Sequence, residues 1–284
     1  MKEQDFNIEG TINTSKWKTR SSWNRNFQEE LEFFKASLIE QVKNQESKTY
    51  YKFSDGEYLF YSGKFGGGSV KAGRRDISEV LSDEEMLPFR EGIFKNDFNM
   101  SWIAPNMVDM NEKFIQIFKK DFDWPVEFVY GLIANKWFFK QFKGEIGLIG
   151  AGPKLELIQE LLKRQEYRDY LGIDQFEDYI KVPQKYICNN LEETDMSIKK
   201  QLEKSKSKIF LIGIGHSQQA LLHRMKNYKD AIYIVCGAGI CALAGVQDNN
   251  RPYFGDWTNY KLKNYNYQKI DIWRNNFKRY KIIG

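Results

Sequence analysis

The chain has 284 residues, of which 42% are hydrophobic and 29% are charged, and its formal net charge is +5. This composition excludes a disordered or fibrous protein, and the length suits one large folded domain. The mild positive charge is compatible with a phosphate-bearing ligand. It is lower than expected for a protein that binds nucleic acid through a dense basic surface, so we expect no nucleic-acid partner.

The cysteine content and the hydropathy of the sequence indicate the cellular compartment of the protein. The three cysteines, Cys188, Cys236 and Cys241, form no CxxC pair and are accompanied by only two histidines, which excludes a disulfide framework and a structural zinc site. The N-terminal sequence MKEQDFNIEG lacks an apolar signal core, and no run of about 18 apolar residues occurs. We therefore expect a cytoplasmic protein without a transmembrane segment.

The first half of the chain predicts helices around one notable strand. Residues 1–22 are expected to form a flexible arm. Apolar residues then recur at spacings of three and four, and a Ser-x-x-Glu capping box occurs later. The expected helices are 27–42, 82–90 and 111–118, and the expected strands are 50–54 and 126–130.

The second half repeats the order strand, glycine turn and helix. The expected strands are 146–149, 209–212 and 231–235, and the expected helices are 154–162 and 218–225. A helix between two apolar strands is a crossover that makes the strands parallel and buried. The sequence therefore predicts a single Rossmann-like α/β domain over residues 23–257, with a mostly parallel sheet flanked by helices, and a basic aromatic segment, 258–284, packed on it.

Two acidic residues follow the first predicted strand. In extended chain Asp55 and Glu57 would project to the same side, where both carboxylates could bind one Mg²⁺ or Mn²⁺ ion, and Gly56 would let a ligand approach. Such an ion would stabilise a departing diphosphate as a Lewis acid. The alternative is an Asp-Gly turn that closes the strand, with Glu57 in solvent.

Two glycine turns each follow an apolar strand and open a helix, where backbone amides can bind phosphate. The phosphate-binding candidates are Gly150, Gly152, Lys154, Gly213, Gly215, His216, Ser217 and, from a separate basic stretch, Arg74. Neither turn has the third glycine of a dinucleotide-binding fingerprint. In addition, Val235 and Cys236 occupy the strand end where such proteins carry an acidic residue that binds the ribose. Both observations disfavour NAD and S-adenosylmethionine as ligands. The alternative is that tight turns need glycine without any ligand.

Two further residues are candidates for acid–base catalysis. His216 follows a glycine at the expected carboxyl end of a parallel strand, where ligands of open α/β sheets bind. Asp256 follows a later glycine-rich turn and is a candidate general base for an acceptor hydroxyl. The alternative for Asp256 is a surface turn.

Three segments resemble the glycosyltransferases of the GT-D fold, a Rossmann-like family first catalogued as a domain of unknown function. They are residues 52–57 (Lys-Phe-Ser-Asp-Gly-Glu), which are similar to that family's strand and Asp-x-Glu motif, residues 146–151, and residues 211–222. The resemblance implies that Asp55 and Glu57 bind a divalent metal that holds a UDP-sugar. Residues 63–75 do not align with the family, and the resemblance provides no catalytic base.

Together these patterns predict a metal-dependent glycosyltransferase that moves a hexose from a UDP-sugar to a hydroxyl of a glycan, glycoprotein or other glycoconjugate. The sequence leaves open a peripheral membrane contact through the basic aromatic segment, and a homo-oligomer. A Rossmann-type methyltransferase or dehydrogenase, and a non-catalytic nucleotide-binding partner protein, remain as alternatives.

Overall fold

Parallel strands form the centre of the structure, a computed structural model that describes residues 7–8, 24–63, 81–104, 107–185, 187–247, 252–270 and 279–284. The strands in chain order are β1 Lys48–Lys52, β2 Phe98–Ser101, β3 Trp124–Pro125, β4 Ile146–Ala151, β5 Asp178–Val182, β6 Ile209–Gly213, β7 Ile232–Val235, β8 Asn259–Leu262 and β9 Tyr280–Ile283. Seven of them form one sheet in the order β3-β2-β1-β7-β6-β4-β5, in which every neighbouring pair is parallel. The predicted phosphate ligand Arg74 lies outside the described residues.

Helices cover both faces of this sheet, as a parallel sheet requires. The α-helices are Phe27–Lys43, Asp55–Tyr61, Asp83–Gly92, Val108–Phe118, Val126–Ala134, Trp137–Gln141, Gly152–Leu162, Gln165–Leu171, Leu191–Leu202, Gln218–Met225 and Ala238–Leu243. In the part of the chain that the structure describes, no helix is long and apolar enough to cross a membrane.

The sequence-predicted crossover between β6 and β7 is confirmed. The helix Gln218–Met225 connects the two strands, which pair in parallel with Leu211 opposite Ile234. Strands β4 and β7 are buried along their whole length, as is β6 up to its last residue. Their continuous apolar sequence follows from this, since both faces of each strand pack against helices.

The segment 126–130 was predicted to be a strand, and this prediction is wrong. Residues Val126–Ala134 form a helix, and the short strand β3 ends immediately before it. All nine helical residues are buried. A helix that is buried on every side has no polar stripe, so its sequence carries no 3.6-residue periodicity and resembles a buried strand.

Both ends of the chain contribute packing contacts. Ile8, within the segment predicted to be a flexible arm, is fully buried, and its side chain lies where a Cβ on Gly131 would have to fit. Near the other end, β8 and β9 form a separate parallel pair. From this pair Tyr260 packs against Tyr170, with ring centroids 4.8 Å apart.

Candidate functional site

The carboxyl ends of β1, β7 and β6 lie side by side in the middle of the sheet. The chain leaves β4 towards β5 at one edge, whereas it leaves β6 towards β7 in the opposite direction. In open α/β sheets, ligands bind beyond the carboxyl ends of the strands where connections diverge in this way. This end of the sheet is therefore the part of the fold where the predicted site residues should meet.

Asp55 and Glu57 do not converge as the extended-chain argument predicted, because Asp55–Tyr61 is a helix that begins directly after Ser54. Each helical residue rotates by about 100°, so side chains two residues apart point in nearly opposite directions. Asp55 is accordingly exposed, whereas Glu57 is 7% exposed. Glu57 is not in solvent either, so the alternative of a simple Asp-Gly turn is also wrong for this residue.

The carboxylate of Glu57 is held by one side chain at the end of a strand and one at the start of a helix. Its Oε2 accepts from Nζ of Lys52 at 3.0 Å, and its Oε1 accepts from Nε2 of Gln218 at 2.7 Å. Gln219 donates from Nε2 to the backbone oxygen of Glu57 at 3.2 Å. Lys52 ends β1 and Gln218 begins the helix after β6. Glu57 thus joins the segment after β1 to Gln218, which lies 161 residues further along the chain.

Several polar atoms around this carboxylate have no hydrogen-bond partner among the described residues. They are the hydroxyl of Tyr51 and the side-chain oxygens of Gln218 and Gln219, all of them buried. Burial, with a smaller contribution from the negative charge of Glu57, raises the pKa of Tyr51 well above its ordinary value. We call Tyr51, Lys52, Glu57, Gln218 and Gln219 the Glu57 cluster. Buried polar atoms are rarely left unpaired, so this cluster is equipped to receive a polar ligand or water.

His216 lies next to the start of the same helix. Its imidazole stacks on Phe60 with ring centroids 4.6 Å apart and planes 5° from parallel. A Cβ on Gly56 would lie 3.4 Å from its Cε1, an ordinary van der Waals distance, so the imidazole lies directly beside this glycine. The structure thus places the His216 imidazole beside Gly56, at the start of the helix Asp55–Tyr61. The catalytic and phosphate-binding roles of His216 stay predictions.

The turn after β6 has a specific geometry. Gly215 has φ of +64°, which favours glycine, and a side chain there would meet nothing within 4 Å. Ser217 is fully buried, and its hydroxyl donates to the backbone oxygen of Ile214 at 2.7 Å. This bond directs the Ser217 proton into the turn, so the residue's observed role is to shape the turn.

Two other predicted glycines make room for a helix. Gly150 and Gly213 lie opposite each other in β4 and β6. A Cβ on Gly213 would lie 2.7 Å from Cγ1 of Ile240, and one on Gly150 would lie 3.3 Å from Cγ2 of the same residue. Helix packing explains these two glycines, in agreement with the ligand-free alternative. Gly152 begins the next helix, and a Cβ there would be 3.9 Å from Lys181.

Lys154 and Asp256 are not joined to the Glu57 cluster by any contact that the structure gives. Lys154 is buried, and its Nζ lies 3.2 Å from Sγ of Cys241. Asp256 is exposed and forms an ion pair with Arg279. Their predicted roles in binding diphosphate and in general-base catalysis stay predictions.

Sequence reasoning missed Glu127, a carboxyl group with no exposed surface. Its Oε1 accepts from the backbone N–H groups of Ile103 at 3.1 Å and Ala104 at 2.8 Å, which follow β2. Burial raises the pKa of this carboxyl to about 7, against the smaller opposing effect of these hydrogen bonds. One acidic residue in an otherwise apolar run was the available signal, because such a residue needs buried partners.

The residues present do not fit a metal ion shared by Asp55 and Glu57. Both oxygens of Glu57 are engaged by Lys52 and Gln218. Across the described ranges no group of three or more His, Cys, Asp and Glu side chains could hold a metal ion. Mn²⁺ or Mg²⁺ dependence therefore stays a prediction, and the paired-carboxylate geometry behind it is corrected.

Comparisons with known proteins do not identify a family for this chain. No family model matches the chain. No curated protein matches it either. Among solved structures it is similar to one described as a new glycosyltransferase from Streptococcus sanguinis, with 12% identity, a TM-score of 0.43, and coverage of 71% of this chain and 79% of that chain. A likeness this distant does not assign the chain to a family or an activity.

Proposed function

We propose that this protein is a glycosyltransferase that moves a hexose from a UDP-sugar to a hydroxyl group of a glycan or glycoconjugate. The observation that carries the proposal is the contact between Glu57 and Gln218, at 2.7 Å. These residues belong to two of the three segments that resemble the GT-D glycosyltransferases, and they meet where α/β sheets bind ligands. The third segment forms β4, which pairs with β6 next to them.

The residues support distinct roles in such a reaction. His216, half-buried beside Gly56, is the proposed acid–base group, since a general base must lie within hydrogen-bond reach of the reacting hydroxyl. Asp55 is exposed at the start of its helix, and it is the carboxylate that a divalent ion bound to the donor's phosphates would contact. Such an ion would supply Lewis-acid stabilisation of the leaving diphosphate.

The methyltransferase and dehydrogenase alternatives are disfavoured by the end of β7. The residues there are Val235 and Cys236, both fully buried, so no carboxylate is available to bind a ribose at this point. No specific observation favours the non-catalytic alternative.

The test is a thermal-unfolding screen with UDP, GDP, CMP, NAD and S-adenosylmethionine, each with and without Mn²⁺, followed by a hydrolysis assay with the matching nucleotide sugars. A ligand at about 100 times its dissociation constant adds roughly 2.7 kcal/mol of stability, which a melting curve detects. We expect stabilisation by UDP and slow release of UDP from a UDP-sugar. Stabilisation by NAD or S-adenosylmethionine alone, or by none of these ligands, would refute the proposal.

A further inference from the structure

We propose that Lys52 is the residue that binds the phosphate groups of the donor, and that Glu57 and Gln218 position its ammonium group. Glu57 then acts as the partner of a cation in the protein and does not ligate a metal. This inference rests on the proposed function, since it names the group that contacts the nucleotide's diphosphate. It also reassigns an acidic residue that the sequence placed on a metal ion.

The hydrogen bonding of Lys52 is the first support. An ammonium group has three N–H donors. Lys52 is 6% exposed and donates one hydrogen bond, to Glu57; no other described residue accepts from it. Burying a charged group with donors left unused is costly, so an additional acceptor is expected at this place. Phosphate oxygens are anionic acceptors that satisfy an ammonium well.

The surroundings of Nζ are the second support. Lys52 ends β1, and its Cε and Nζ lie 3.5 and 4.0 Å from the point where Gly237 would carry a Cβ. Gly237 follows β7 and has φ of +42°, a conformation that side chains rarely adopt. A Cβ at this position would be in van der Waals contact with Cε and would lie beside Nζ. The glycine therefore keeps Lys52 approachable from the carboxyl edge of the sheet.

The hold on Glu57 is the third support. One carboxylate oxygen binds Lys52 at 3.0 Å and the other binds Gln218 at 2.7 Å, so the orientation of the carboxylate is fixed from both sides. A carboxylate held this way fixes the lysine in turn. Protein kinases have the same arrangement, in which a lysine on a strand contacts the phosphates and a glutamate on a helix positions that lysine.

The experiment measures dissociation constants of UDP, uridine and inorganic pyrophosphate by isothermal titration calorimetry, in EDTA and in Mn²⁺. The variants are Lys52→Met, Glu57→Gln and the neutral double variant that combines both. Lys48→Met is the matched control, because Lys48 lies at the other end of the same strand in a partly exposed pair with Glu46. Melting curves establish that each variant is folded, and the double variant avoids leaving one buried charge alone.

We expect Lys52→Met and the double variant to weaken UDP and pyrophosphate binding by roughly 10- to 100-fold, the range of a lost charged hydrogen bond. Uridine binding and the Lys48→Met variant should be unchanged. Glu57→Gln should lower the ratio of UDP affinity to uridine affinity, whereas a merely structural role would weaken both ligands equally. The factor by which Mn²⁺ changes UDP affinity should be the same in Glu57→Gln as in the wild-type protein.

Two outcomes would overturn the inference. One is unchanged UDP and pyrophosphate affinity in Lys52→Met and the double variant. The other is loss of the Mn²⁺ effect in Glu57→Gln with retention of it in Lys52→Met, which would make Glu57 a metal ligand. Failure of the proposed function looks different: the wild-type protein would then bind pyrophosphate through Lys52 without preferring any uridine nucleotide.

Discussion

Replacing Glu127 with Gln should change how the stability of this protein depends on pH. The carboxyl is fully buried, and burial raises its pKa from 4.5 to about 7. Between these values the folded protein binds more protons than the unfolded chain, so the free energy of unfolding falls as the pH rises. The stabilising contribution of the protonated form is complete below pH 4.5 and is lost as the pH passes 7.

The size of the change in unfolding free energy follows from the same shift. It is on the order of 3 kcal/mol in total, and most of it falls between pH 5 and pH 8. Gln is a close match in shape to the protonated side chain. Its single oxygen can replace Oε1, which accepts from both Ile103 and Ala104. The variant should therefore fold without titrating at this position.

The assay is urea unfolding of the wild-type protein and Glu127→Gln at pH 5 and pH 8. We expect the free energy of unfolding of the wild-type protein to fall by roughly 2–3 kcal/mol relative to that of the variant as the pH rises from 5 to 8. Glu91→Gln is the control, because Glu91 is 54% exposed in a surface pair with Lys95, and it should show no such difference. A pH-independent difference between wild type and Glu127→Gln, or a wild-type protein that gains stability relative to the variant as the pH rises, would refute the reasoning.

Two further substitutions and one labelling experiment test the local structure. A Gly-to-Ala change usually stabilises a helix, but Gly92→Ala should destabilise this protein by about 1–3 kcal/mol in urea unfolding, because the new Cβ would lie 2.1 Å from the backbone oxygen of Gln219. A more stable variant would contradict this contact. Ser82→Ala should cost about 1 kcal/mol by removing the capping box, and an unchanged unfolding midpoint would contradict it. Iodoacetamide should modify half-buried Cys241 well before Cys236, since burial raises the pKa of the Cys236 thiol to about 12; equal rates measured by mass spectrometry would contradict this.

Much of the fold was predictable because its signals are local. The helix Phe27–Lys43 has a regular apolar stripe, and the helix Gln218–Met225 follows a glycine turn. The strands β4, β6 and β7 are short apolar runs between turn residues. In each case neighbouring residues alone specify the conformation, so one sequence suffices. The buried helix Val126–Ala134 has no such periodic signal, and it was missed.

The candidate site was predicted less well because its geometry depends on conformation and on distant residues. The spacing of Asp55 and Glu57 places them together on a strand and apart on a helix, and the segment is a helix. The contact that orients Glu57 comes from Gln218, 161 residues along the chain. No local pattern specifies such a contact. The sequence could place these residues at the carboxyl end of the sheet but could not show which carboxylate is exposed there.

Two ion pairs near opposite ends of β1, Asp97–Lys226 and Glu57–Lys52, show why the contribution of the Glu57 cluster to folding stability does not explain it. At the amino end, Asp97 accepts from the backbone and hydroxyl of Thr49 and from Lys226, so its oxygens are well satisfied. At the carboxyl end, Lys52 makes one hydrogen bond and Gln218 retains an unpaired oxygen within the described structure.

Removing two charges from water costs several kcal/mol per ion, and an apolar pair of similar volume is often as stable or more stable. A pair that is both buried and incompletely hydrogen-bonded is therefore a poor way to stabilise a fold. The Asp97 pair is sufficiently explained by its role in fixing the start of the strand. The Lys52 pair needs another acceptor to complete it, and its place at the carboxyl edge is where the phosphate group that we propose would supply one.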